Sequence, residues 1–150
     1  MLIRIFLYPV RVRHFSSFSY DRIVVEVFKK EKGRKGQMKT DTVVFEEKNK
    51  TLTATIQCEI DHHAAKDLRE KIDREIFLTR PNTIVLDFAS VDFMDSSGIA
   101  LILGRAECAE GVGASVIVTG LADPIYKLIG LSGIDKIKNL TICRTLRSEK

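Results

Sequence analysis

Thr83-Ile84-Val85-Leu86-Asp87-Phe88 leads through Phe93-Met94-Asp95-Ser96-Ser97-Gly98 into Ile99-Ala100-Leu101-Ile102-Leu103-Gly104-Arg105-Ala106. The first run is β-branched and apolar nearly throughout, which predicts a central strand covered on both faces. The third predicts an apolar helix over Ser97–Glu110, stopped by Gly111-Val112-Gly113. Two hydroxyls and a carboxylate therefore sit where a strand and its loop turn into a helix. The first N–H groups of a helix lack internal partners, and the dipole there is positive. Such a corner can hold a phosphate or present a serine to an outside enzyme. Asp and Ser are also good helix caps, and capping alone is the commoner reason to find them there.

Upstream, Val43 to Lys48 predicts a first strand, and Asn49-Lys50 is a turn signal. In the next run Leu52, Ala54, Ile56, Cys58 and Ile60 alternate with Thr51, Thr53, Thr55, Gln57 and Glu59. A period of two puts one side in a core and the other toward solvent. Asp61 stands at a helix N-cap position, and Ala65, Leu68, Ile72 and Ile76 mark one stripe of the helix that follows. Arg80-Pro81-Asn82 ends it. Downstream, Ala114 to Thr119 predicts another strand. Asp123-Pro124 predicts a cap and first position, Leu131-Ser132-Gly133 a helix stop, and Leu140 to Cys143 a last strand. Strands alternating with helices predict an α/β fold: a mixed sheet with its later strands parallel, packed against helices.

The 150-residue chain is long enough for one domain with a real core, and its 45% apolar and 29% charged content is that of a soluble globular protein. The net charge of +4 is unevenly spread. Residues 1–37 hold nine Lys/Arg against three Asp/Glu, leaving fifteen against seventeen from residue 38 on. The basic character belongs to the leader, so it is no argument for DNA binding by the folded part. Leu2 to Val10 is too short to span a bilayer and lacks the order of a signal peptide. Ile23 to Phe28 has strand character, and Lys29 to Gly36 is a solvated charged run. Lys, Glu, Gly and Arg all have purine-only codons, so the tract before Met38 resembles a ribosome-binding site. Residues 1–37 are expected to be a disordered basic leader or translated upstream sequence, with the domain spanning 38–150. A basic arm for membrane or nucleic acid is the rival reading. Cys58, Cys108 and Cys143 follow no disulfide or metal spacing and read as reduced thiols of a cytoplasmic protein.

Asp61-His62-His63 matches a triplet found in metal-dependent phosphoesterases. Two-metal sites need many more donors, and beyond residue 37 no other His exists. Ser96 and Ser97 lie between strand and helix like a nucleophile elbow, but G-x-S-x-G is absent and only His62 and His63 offer a base. Neither phosphate-binding glycine signature occurs. No enzyme, metal or cofactor is expected.

Glu59-Ile60-Asp61-His62-His63-Ala64-Ala65, Ile84-Val85-Leu86-Asp87, Phe93-Met94-Asp95-Ser96-Ser97-Gly98 and Leu128 with Leu131-Ser132-Gly133-Ile134 together resemble the STAS domain of anti-sigma factor antagonists, most of all its sporulation branch. The resemblance covers roughly residues 41–145. It implies a phospho-switch rather than catalysis. The unmodified protein binds an anti-sigma factor that is also a serine/threonine kinase, and so frees the sigma factor. Phosphorylation of the serine after the motif's Asp, here Ser96, ends this, and a PP2C-type phosphatase reverses it. The resemblance implies partner contacts at Asp61, Asp95, Ser96, Ser97 and Gly98, a cytoplasmic location, and neither direct DNA binding nor membrane insertion. One departure is Cys58, where the family usually has Gly, which puts the turn into Asp61 in question. A STAS scaffold in a transport complex, without a switch, is the alternative; the serine at 96 favours the switch.

Overall fold

The computed structural model describes residues 42–144. The expected leader, residues 1–37, lies outside them.

Five strands form one sheet in the order β1-β2-β3-β4-β5: Val43–Lys48, Thr51–Ile56, Thr83–Asp87, Ser115–Thr119 and Leu140–Ile142. The first pair is antiparallel and the rest are parallel, as the alternation of strands and helices predicts. Asn49 and Lys50 make the two-residue hairpin turn, both at positive φ (51° and 61°), the geometry that matches the twist of the flanking strands. Three helices connect the parallel strands: α1 (His62–Thr79), α2 (Ser96–Gly111) and α3 (Asp123–Ser132), the last followed by a 3-10 turn, Ile134–Lys136.

Register explains the core. Leu52, Ile84, Val116 and Leu140 stand in one row across the sheet, and Ala54, Leu86, Val118 and Ile142 in the next. All but half-buried Ile142 are buried. The α1 stripe of Leu68, Ile72 and Ile76 and the α2 residues Leu101, Ile102, Ala106 and Ala109 complete the same core. Each helix ends on a recognisable stop. Arg80 caps α1 in the left-handed region. At the end of α2 the Ala114 N–H donates to the Ala109 carbonyl (2.8 Å) and the Gly113 N–H to the Glu110 carbonyl (3.1 Å), a Schellman motif with Gly113 at φ 76°.

Four expectations need correction. β3 is not covered on both faces, because Thr83, Val85 and Asp87 are only half-buried. Successive right-handed crossovers that all advance in one direction stack their helices on one face, leaving the threonine-rich face of β2 and its neighbours without a layer. β2 stops at Ile56 instead of running to Ile60. Its partner β3 ends at Asp87, the Phe88 N–H donating to the Thr119 carbonyl (2.9 Å), so on that side residues 57–59 have no ladder to join; on the β1 side the Gln57 N–H still donates to the Thr42 carbonyl (2.9 Å). α2 begins one residue early, at Ser96, and runs on to Gly111. Asp123 lies inside α3 and caps nothing: Ala122 is the N-cap, its carbonyl accepting from the Tyr126 N–H (2.9 Å). Asp123 contributes a negative charge in the first turn, where the dipole favours it, and an exposed ion pair with Arg144 (3.9 Å).

Candidate functional site

Beyond its last ladder position β2 continues as Gln57-Cys58-Glu59 and finds a new partner at Ile60. Ile60 and Met94 form an isolated parallel bridge. The Ile60 N–H donates to the Phe93 carbonyl (3.1 Å) and the Asp95 N–H to the Ile60 carbonyl (3.2 Å). Both bridged side chains are buried. Because alternate residues of an extended segment face opposite ways, Glu59, Asp61 and Phe93 face outward.

The residue after each bridged position caps a helix. Asp61 Oδ1 accepts the Ala64 N–H at 2.7 Å, and Asp95 Oδ1 accepts the Ser97 N–H at 2.7 Å. Two helix N-termini far apart in sequence are thus pinned side by side by one backbone bridge. The Ala64 N–H, aided by the adjacent histidines, holds the Asp61 carboxyl below the ordinary carboxylate range. Asp61 is exposed and Asp95 half-buried. Ser96 is the first residue of α2 and exposed, Ser97 is half-buried, and Gly98 is buried. Gly98 must be glycine for a steric reason, since a Cβ there would collide with the Met94 side chain. All five residues singled out from the sequence lie at this corner.

Cys58 has no positive φ, so its place does not demand glycine, and Asp61 keeps its capping bond. The Cys58 thiol is half-buried, and burial, with Asp67 nearby, pushes its pKa up. His62 and His63 are exposed in the first turn of α1, rings edge to face at 6.0 Å. Among the described residues, no three His, Cys, Asp or Glu side chains are grouped so as to hold a metal ion, and no helix is long and apolar enough to cross a membrane.

Sequence reasoning missed two features. Phe93 is 53% exposed beside Ser96. The sequence held no signal for which of Phe93 and Met94 turns outward; the Ile60–Met94 bridge sets it. The second is an ion pair between α1 and α2, Arg105 Nε to Asp73 Oδ1 at 2.8 Å, with the Arg105 side chain buried (3% exposed) and that of Asp73 half-buried (28%). Arg105 follows Leu101 and Ile102 by four and three positions, on the buried stripe of α2.

The STAS domain family matches residues 42–149. The chain is 34% identical to the anti-sigma F factor antagonist of Paenibacillus polymyxa over 86 residues, 57% of this chain and 74% of that protein. It is 37% identical to the Lysinibacillus sphaericus protein of the same name over 76 residues, 51% of this chain and 65% of that one, just under two thirds of its length. Among solved structures it is similar to the anti-sigma factor antagonist SpoIIAA in its unphosphorylated form, with a TM-score of 0.54 and 28% identity over 69% of this chain and 88% of that one. The Bacillus cell fate determinant SpoIIAA in its phosphorylated form matches with a TM-score of 0.54 and 30% identity, over 68% and 91% of the two chains.

Proposed function

The chain belongs to the STAS-domain family, and from that premise we propose that it is a cytoplasmic anti-sigma factor antagonist switched by phosphorylation of Ser96. Unmodified, it binds an anti-sigma factor that is also a serine/threonine kinase and so releases the sigma factor. Phosphorylated, it no longer binds, and a PP2C-type phosphatase restores it. It is a binding module and not an enzyme.

The observation that carries the reading is the corner itself. Ser96 is exposed at the first position of α2, while the neighbouring Asp95 takes over the capping bond. A kinase can therefore take the Ser96 hydroxyl without undoing the helix start. A phosphate adds about −1.5 to −2 charge at neutral pH. It would stand beside Asp95, in a corner that also holds Asp61, Asp92 and Glu59, and would change an interface by charge and bulk without refolding. Relatives named as anti-sigma F factor antagonists, and SpoIIAA solved in both phosphorylation states, support the same reading.

Incubation with the anti-sigma factor kinase of the same cell and ATP, followed by mass-spectrometric mapping, should place one phosphate on Ser96. Ser96→Ala should still bind the kinase, and Ser96→Asp should bind weakly. A phosphate confined to Ser97, or no phosphate at all, overturns the reading.

A further inference from the structure

We propose that Phe93 is the apolar anchor of this site, and that its kinase partner receives it in an apolar socket edged with basic side chains. The proposal rests on the switch reading above and adds the chemistry by which the partner is recognised.

The bridge that builds the corner also sets Phe93. Its carbonyl is held by the Ile60 N–H, and the next residue, Met94, is buried against Gly98. The Phe93 backbone therefore has no freedom to turn its ring inward, and the ring stays 53% exposed. An aromatic on a braced backbone brings large contact area with little ordering entropy left to lose, which is how anchoring residues of interfaces work. Its surroundings specify the partner. Glu59, Asp61, Asp92 and Asp95 lie within four positions of Ile60 or Phe93 along the two bridged segments, three of them exposed. A ring within a set of carboxylates fits an apolar socket with a rim of Lys or Arg. From Ser96 the outward stripe of α2 continues apolar, through Ala100 and Leu103.

The arrangement also gives the switch a mechanism. A phosphate on Ser96 stands three residues from Phe93. Closing the socket would then require a strongly hydrated dianion to lose water beside the ring, a large desolvation penalty unless it finds partners.

The test measures affinity for the purified anti-sigma factor kinase of the same cell by calorimetry, with thermal unfolding of each variant alongside. Phe93→Ala should raise Kd roughly 30-fold or more with the unfolding midpoint unchanged, and Phe93→Leu should recover part of the loss. Leu78→Ala, which trims another exposed apolar side chain at the far end of α1, should leave Kd within about twofold. A Phe93→Ala variant that binds as the unaltered protein does, while the unaltered protein binds and Ser96 is phosphorylated, overturns the anchor and spares the switch. An unaltered protein that does not bind the kinase at all overturns both.

Discussion

At Asp61 two roles meet in one side chain, and substitution can separate them. As a cap it needs only an acceptor for the Ala64 N–H; as a partner contact in an acidic corner it needs its charge. Asn is as good a cap as Asp but carries no charge. Asp61→Asn should therefore keep the thermal midpoint near neutral pH and still weaken kinase binding, whereas Asp61→Ala should lose both. A truncated charge pair in a desolvated interface typically loses about 30-fold or more in affinity. The acid limb gives an independent check. The folded carboxyl titrates below its unfolded value, so the stability it contributes is present above the unfolded value and disappears as pH falls through the folded one. Midpoints of the Asn variant should thus depend less steeply on acid pH than those of the natural protein. Equal kinase affinity of the Asn variant and the natural protein would reduce Asp61 to a cap.

Between elements, the decisive contact is the α1–α2 ion pair. Arg105 Nε is 2.8 Å from Asp73 Oδ1 but off the line of its N–H, so the pair is held by charge more than by an aligned hydrogen bond. Burial raises the Asp73 pKa, while Arg105 foremost, then the Cys108 thiol hydrogen bond and Arg69, pull it down. A raised folded pKa favours the folded state below the unfolded value, and that advantage is lost as pH rises through the folded one. Ionising Asp73 in the folded protein therefore works against a desolvation penalty. Asp73→Ala should destabilise by about 3–5 kcal/mol because it leaves the Arg105 charge buried without its counter-ion. Asp73→Leu combined with Arg105→Met should recover most or all of that, since an apolar pair of similar size removes both desolvation penalties. Denaturant unfolding of the three proteins decides it: a double variant no more stable than Asp73→Ala contradicts this account.

For the whole molecule, the strand order matters most. Strands that advance 1-2-3-4-5 without reversal put successive right-handed crossovers on one side. The sheet therefore has one deep core and one half-open face of threonines with Val85 and Ile117. Its edges are blunted, by Glu46, Glu47 and Lys48 on β1 and by the three-residue length of β5. Sheet, helices and a continuous apolar core are all found within residues 42–144. A protein begun at Met38 should accordingly unfold in one transition with the midpoint of the full chain, and bind the kinase equally well. A lowered midpoint, read by circular dichroism, would give the leader a structural role that its composition does not suggest.

Local rules sufficed wherever a residue's state depends on near neighbours. The alternation of Leu52, Ala54 and Ile56, the stripe of Leu68, Ile72 and Ile76, the capping Asp61 and the left-handed Gly113 were all legible, because periodicity and cap chemistry act within a turn or a strand. The family motif also marked Ser96 and Asp61 together, but only as a pattern. Their adjacency comes from the Ile60–Met94 bridge, a pairing between distant segments that opens because β3 ends at Asp87. The same pairing decides that Met94 turns in and Phe93 out, which no local propensity distinguishes in two large apolar neighbours. Likewise Arg105 is buried against Asp73 on the facing helix, which offers a counter-charge there. Sequence alone determined which elements form and where most of them stop; tertiary structure decided where β2 ends and which element ends meet, because those choices rest on backbone and charge partners supplied from elsewhere in the chain.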